Sequence, residues 1–283
     1  MEFIKDLHGH SGCSIKLMRN SGCVFVRKQS QAVEYNDRLL RQCRKQAAYG
    51  EKVQVRVFVP EIYAEGFSDE LFYFDMEYIN GKSFAESLEA MPVNEIADYA
   101  NTLIEGFEVR GSRISHHAKE AFAIKLRQVK PFCTDQIFRE AYQVLISYDW
   151  ENNMFRSQCC HGDLTLENII VSTKNKLYFI DFLDSFYDSW MIDTAKLLQD
   201  LIIGWSYRKS SRQSSTLQLK QLIFYEHIVN ELSKLTPNIE SQLSAIMHIL
   251  LLNILRILPY SADEITREFL LSACETVVEK ISK

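Results

Sequence analysis

The sequence predicts an α+β protein in which a small antiparallel sheet comes first and a mainly helical part follows. Up to about Tyr78, short β-branched and aromatic runs are separated by turn residues, and from Ser83 onward apolar residues recur at helical spacing. Within the helical half stands one isolated strand pair, Ile169 to Val171 and Leu177 to Ile180, joined by the polar stretch Ser172 to Lys176. With 283 residues and 47% hydrophobic content, the chain can bury a full core.

Taken in order, residues 9 to 28 read as strands and turns: Gly9-His10-Ser11-Gly12 is a turn, Cys13 to Met18 a strand, Arg19-Asn20-Ser21-Gly22 a turn and Cys23 to Lys28 a strand. A glycine-rich turn exposes backbone N–H groups that can hold phosphate oxygens. A helix follows from about Ala32 to Tyr49, then strands over Val53 to Val59 and Leu71 to Tyr78, with Gly81 permitting a turn into the helical part. Helical spacing returns over Ser83 to Met91, over Asn94 to Phe107 with Asn94 as N-cap, and over Asp135 to Trp150. Further helices start near Ile192 and cover Leu217 to Leu235, Ile239 to Leu258 and Asp263 to Ile281.

The chemistry concentrates around Cys160-His161-Gly162-Asp163 and the strand pair. Asn168 precedes the first strand and Asp181 follows the second, so antiparallel pairing brings them to one end, with Asp163 five residues upstream of Asn168. Two oxygen-bearing side chains suit magnesium, which prefers oxygen ligands and shares them with phosphates. A carboxylate such as Asp163 can orient an attacking hydroxyl and take its proton. Together these residues suit phosphoryl transfer.

His161-Gly162-Asp163, then Asn168, then Ile180-Asp181-Phe182, resembles the catalytic signature of the aminoglycoside phosphotransferase and choline kinase group of protein-kinase-like small-molecule kinases. Protein kinases carry Arg between His and Asp and Gly after the second Asp. Gly162 and Leu183 stand there instead, and no convincing Ala-Pro-Glu segment follows. The resemblance implies a two-lobed protein-kinase-like fold: residues 1–79 as a nucleotide-binding lobe with the hinge, and residues 80–283 as a helical lobe with the catalytic loop and acceptor site. It implies that Ser11 and Gly12 cover the nucleotide phosphates, that Glu77, Tyr78 and Ile79 offer backbone to the adenine, and that Asp193 hydrogen-bonds the catalytic loop. For the phosphate-binding cation it favours Arg27, with Lys28 as the alternative, since successive strand residues face opposite ways. Gln42 occupies the place of a helix Glu that pairs with this cation, and an amide gives a looser partner than a carboxylate. The acceptor site falls in the later helices, where Ser206 to Lys220 carries Arg208, Lys209, Arg212 and Lys220 with no acid.

A net charge of -5 argues against a general nucleic-acid binder. Seven cysteines at irregular spacing form neither a disulfide framework nor a zinc pattern, and Cys159-Cys160 read as small buried residues in a reducing compartment. His116-His117 have no further metal ligand at useful spacing. The N-terminus has no signal core, and the apolar stretch Ile246 to Leu258 is too short to span a bilayer. Asp184 reads as a solvated loop residue near the metal pair.

The sequence therefore predicts a cytoplasmic phosphotransferase that uses ATP (or GTP) and magnesium, with a small-molecule hydroxyl acceptor and no nucleic-acid or membrane partner. Asp163 is the base, His161 braces its loop, and Asn168 and Asp181 hold the metal. The alternative reading is a nucleotide-binding pseudokinase acting as an interaction module, for which Gln42 is the only support.

Overall fold

A computed structural model describes the chain except for residues 8–11, 53–55, 108–112, 115–117, 151–155, 158, 211–212, 236–237 and 262. In chain order its elements are strands β1 (Glu2–Asp6), β2 (Cys13–Asn20) and β3 (Cys23–Ser30), helix α1 (Asn36–Lys52), strands β4 (Val57–Phe58), β5 (Ile62–Ser68), β6 (Leu71–Glu77) and β7 (Gly81–Ser83), and helices α2 (Phe84–Leu88) and α3 (Val93–Gly106). Then come β8 (Arg113–Ile114), α4 (Ala118–Val129), α5 (Gln136–Ser147), β9 (Arg156–Ser157), β10 (Ile169–Ser172), β11 (Leu177–Phe179), α6 (Trp190–Ile203), α7 (Ser215–Leu235), α8 (Ile239–Leu255) and α9 (Glu264–Ile281). The class is α+β, with an antiparallel sheet in the N-terminal region and helices in the C-terminal part.

The chain forms two compact units: Met1–Phe84 with Asn168–Asp184, and Ala85–Glu167 with Ser185–Lys283. A single cut after residue 79 does not reproduce this division. The β10–β11 hairpin joins the first unit because Ile170, Val171 and Ser172 pair with Ser83, Lys82 and Gly81 of β7, while Leu177 and Tyr178 pair with Val57 and Phe58 of β4. Gly81 serves close approach here: a Cβ at this position would stand 2.3 Å from the Val171 carbonyl oxygen.

The other sheet of the first unit runs β1-β2-β3-β6-β5, each pair antiparallel. The β5–β6 turn places Asp69 and Glu70 at φ 51 and 66, left-handed backbone that suits a tight hairpin. Val26, Phe72, Phe74 and Met76 from the sheet and Leu39 and Cys43 from α1 form one apolar core. Apolar spacing along α1 therefore buries one helix face against the sheet.

In the second unit α8 is buried continuously from Ala245 to Leu255 and packs against α6 and α9, while α3 packs against α7. The longer helical stretch Ile239–Tyr260, which contains α8, is 22 residues and passes by length and composition alone as able to cross a membrane. In its most apolar window 61% of residues are buried inside the protein, as in a core helix. Asn94 is not a cap: α3 begins at Val93, preceded by Pro92 in extended backbone. Asp135 does cap α5, accepting from the Ile137 N–H at 3.2 Å.

Candidate active site

In the first unit Arg27 and Lys28 face opposite sides of β3. Arg27 donates to both carboxylate oxygens of Asp75 at 2.7 Å and lies over the Tyr73 ring at 4.0 Å. Lys28 faces the other way, 3% exposed, and its Nζ reaches Asp181 Oδ1 at 2.5 Å and Gln42 Oε1 at 3.3 Å. The cause is strand parity. Val26, Lys28 and Ser30 are the buried set of the last turns of β3, and Val26 lies in the core that contains Leu39 and Cys43 of α1. Burial opposes a charge on Lys28, but the Asp181 carboxylate outweighs it and raises its pKa above the ordinary lysine value. Gln42 thus meets the strand cation through a neutral amide oxygen.

Helix α1 grips the segment after β11 with residues spaced four apart. Arg41 donates to Asp184 at 2.8 Å, Lys45 to the Leu183 carbonyl at 2.9 Å, and the Tyr49 ring packs on Phe179 and Phe182. Asp184 is therefore an ion-pair partner of α1. Asp181 itself has φ 62, a left-handed conformation that Asp tolerates better than most residues, at the end of the hairpin. The Ile180 N–H donates to the Asn168 carbonyl at 3.0 Å, so Asn168 and Asp181 flank the same end of the β10–β11 pair. Their oxygen donors are the type magnesium takes. Among the described residues no group of three His, Cys, Asp or Glu is assembled for a metal, so a magnesium ion here would share its coordination with phosphate and water.

Ser11 and residues 9 and 10 of the glycine-rich turn lie outside the described residues, as do His116 and His117; Gly12 is exposed beside the Tyr35 ring. Glu77 ends β6, where its N–H already donates to the Glu61 carbonyl at 2.8 Å, and Tyr78 and Ile79 link β6 to β7.

In the second unit the loop before Asn168 is pinned by two buried carboxylates. Asp193, in the first turn of α6, accepts from the N–H groups of His161 and Gly162, each at 2.7 Å. Gly162 has φ 90, which an L side chain rarely adopts, and its lack of a Cβ lets both N–H groups converge on one carboxylate. His161 is fully buried, and its Nδ1 accepts from the Asp163 N–H at 3.2 Å. About two turns further along α6, Asp200 accepts from the Leu166 N–H and the Ser206 N–H, both at 2.6 Å. Burial drives the Asp200 pKa up to about 6 against the pull of those two N–H groups.

Asp163 meets Lys196 Nζ at 3.0 Å. Burial pushes the Asp163 pKa up, but Lys196, His161 and Arg256 together hold it below the usual carboxylate value, so the side chain is ionised at neutral pH. The sequence reading missed Lys196 and Asp200. Both lie on α6 with Asp193, and spacing of three and four along that helix is the signal that could have found them. Of the basic segment after α6, Arg208 stacks on Trp205 at 4.0 Å and donates to its carbonyl, Lys220 donates to the Glu89 carbonyl, and Arg212 lies outside the described residues. Cys160 is buried, its thiol donating to Asp188 at 3.4 Å.

The sheet, the helices and the family match below together define a kinase-type phosphotransferase that acts on hydroxyl groups. The family model of the phosphotransferase enzyme family matches residues 19–217, and the chain belongs to that family. Among solved structures the fold is similar to an aminoglycoside-3'-phosphotransferase of type VIII, with a TM-score of 0.55 and 15% identity over 89% of this chain and 92% of the other. A search of the curated proteins finds no match.

Proposed function

We propose that this small-molecule phosphotransferase moves the γ-phosphoryl group of ATP, with GTP as the other candidate donor, to a hydroxyl of a sugar, amino alcohol or aminoglycoside-like compound. The observation that carries the reading is the buried Lys28 paired with Asp181, a cation and a carboxylate of the kinds that meet nucleotide phosphates and magnesium. In this reading residues 1–79, with Asn168 and Asp181, serve the nucleotide, and residues 80–283 hold the base and the acceptor.

The roles follow from chemistry. Lys28 binds the phosphates, with Gln42 steering its ammonium group. Gly12 and Ser11 cover the phosphates, and the backbone of Glu77 to Ile79 receives the base of the nucleotide. Asn168 and Asp181 hold magnesium, which supplies charge neutralisation on the phosphates when bound. Asp163, ionised and held by Lys196, receives the acceptor's proton and fixes the direction of the hydroxyl. Asp193 and His161 keep that loop in register, so Asp163 does not have to reorganise as the proton moves. A cytoplasmic setting fits the cysteines, among which the described structure forms no disulfide.

The test is a radiolabelled transfer assay with ATP and magnesium over a panel of hydroxylated metabolites. A labelled product, together with a rise in melting temperature from ATP and magnesium, is the expected result. Nucleotide binding with no product across an exhaustive panel would overturn it.

A further inference from the structure

Two cations of the second unit act on Asp163, and a third stands beside one of them. Lys196 pairs with it directly at 3.0 Å, and Arg256 acts on it electrostatically. Lys125, on α4, stands close enough to Arg256 for the two like charges to oppose each other, which together with burial lowers the lysine's pKa. Both side chains lie over one aromatic ring: the Arg256 guanidinium is 4.8 Å and the Lys125 ammonium 5.8 Å from the centre of Phe186. That ring is fixed edge-on by Phe122 of the same helix α4, at 5.1 Å and 86°.

Among the described residues neither cation forms a close ion pair with a carboxylate of its own. Among the described residues Lys125 donates to the neutral Gln128 and Arg256 to the neutral Asn253, at 3.0 and 3.1 Å. Among the described residues the carboxylate that acts on Arg256 is that of Asp163. Asn253 is itself buried, and its Nδ2 donor has no hydrogen-bond partner. Holding a half-buried lysine and an arginine against each other is unfavourable unless something anionic completes the arrangement. A guanidinium offers paired donors to a carboxylate or phosphate, and an ammonium beside it adds a second charge-assisted hydrogen bond. Polycationic or cationic acceptors would meet like charge here.

We propose that Arg256 and Lys125, aligned on Phe186, form an anion-binding subsite beside Asp163, and that the acceptor is a hydroxy compound bearing a carboxylate or phosphate a few bonds from the hydroxyl that is phosphorylated. This rests on Asp163 being the base, as proposed above. It narrows the acceptor class to hydroxy acids, sugar acids and sugar or polyol phosphates, and it draws on side chains outside the basic segment after α6. Asn253 is a positioning residue that sets the Arg256 guanidinium.

The test is calorimetric titration of the full chain with four compounds that share one skeleton: glycerol, 3-aminopropane-1,2-diol, glycerate and glycerol 3-phosphate. The nucleotide site is filled beforehand with magnesium and a non-hydrolysable ATP analogue. Glycerate or glycerol 3-phosphate is expected to bind at least about 10-fold tighter than glycerol, the scale of one charge-assisted hydrogen bond, with the amine weakest. Which of the two anions is preferred distinguishes a carboxylate from a phosphate site. Lys125→Gln and, separately, Arg256→Gln should erase that preference while the affinity for the analogue is unchanged; two single variants guard against one failing to fold. Equal binding of the four compounds, no binding of either anion, a preference for the amine, or a preference that survives both substitutions would overturn the proposal. Failure of the analogue to bind would count against the kinase reading alone, because the anion titrations without nucleotide still report on Lys125 and Arg256.

Discussion

Lys28 Nζ lies 2.5 Å from Asp181 Oδ1, joining residues 153 positions apart in the chain. Since Arg27 is bound to Asp75 on the opposite face of β3, the two adjacent cations should respond differently to substitution.

Lys28→Met is expected to weaken binding of magnesium–nucleotide by about 10-fold or more, the loss of one charge-assisted contact to phosphate. Arg27→Gln should leave nucleotide affinity nearly unchanged and lower stability by about 1–3 kcal/mol, because Asp75 stays buried without its bidentate partner. Calorimetry and denaturant unfolding read the two effects separately. The reverse pattern, with nucleotide binding lost only in Arg27→Gln, would contradict the assignment.

How far this was legible in the sequence depends on the residue. The places of Asn168 and Asp181 at one end of a hairpin were readable because few residues separate them from the two strands. Lys28 was not, because period-2 alternation separates it from Arg27 without saying which face of the strand meets α1. Strand β5 escaped notice as well: Ala64, Glu65 and Gly66 interrupt its alternation, and as an edge strand it is largely exposed. Gln42 was legible as a departure from a pattern, but its neutral contact with Lys28 needed the packing of α1 on the sheet. Arg256 was hidden for another reason, since its meaning depends on tertiary placement near Asp163 rather than on any local motif.

Lys196→Met should raise the Asp163 pKa, because burial then acts with less opposing charge. A base works above its pKa, so the acidic limb of the kcat/KM profile should move to higher pH. An unmoved limb, with the overall rate reduced, would mean that Lys196 acts only through packing.

Asp200 makes stability depend on pH in the direction opposite to an ordinary ion-paired carboxylate. Its pKa is raised from 3.8 to about 6, so the folded state binds its proton more tightly than the unfolded chain. Stability from this group is present below about pH 4 and is lost as pH rises through about 6, by up to about 3 kcal/mol. Asp200→Asn cannot ionise, and its amide nitrogen faces one of the two N–H groups that the carboxylate accepts. The variant should therefore be less stable than wild type at pH 4.5, with the gap narrowing by pH 7.5 in denaturant unfolding. A gap that is the same at both values would show that the carboxylate is charged throughout.

The most direct test of the central claim is the rate of phosphoryl transfer from labelled ATP to a verified acceptor by wild type and by Asp163→Asn, each at saturating nucleotide and magnesium. The account predicts that the variant binds magnesium–ATP as wild type does and transfers the label about 10² or more times slower, the usual scale for a positioned base. Transfer by Asp163→Asn at the wild-type rate would contradict it.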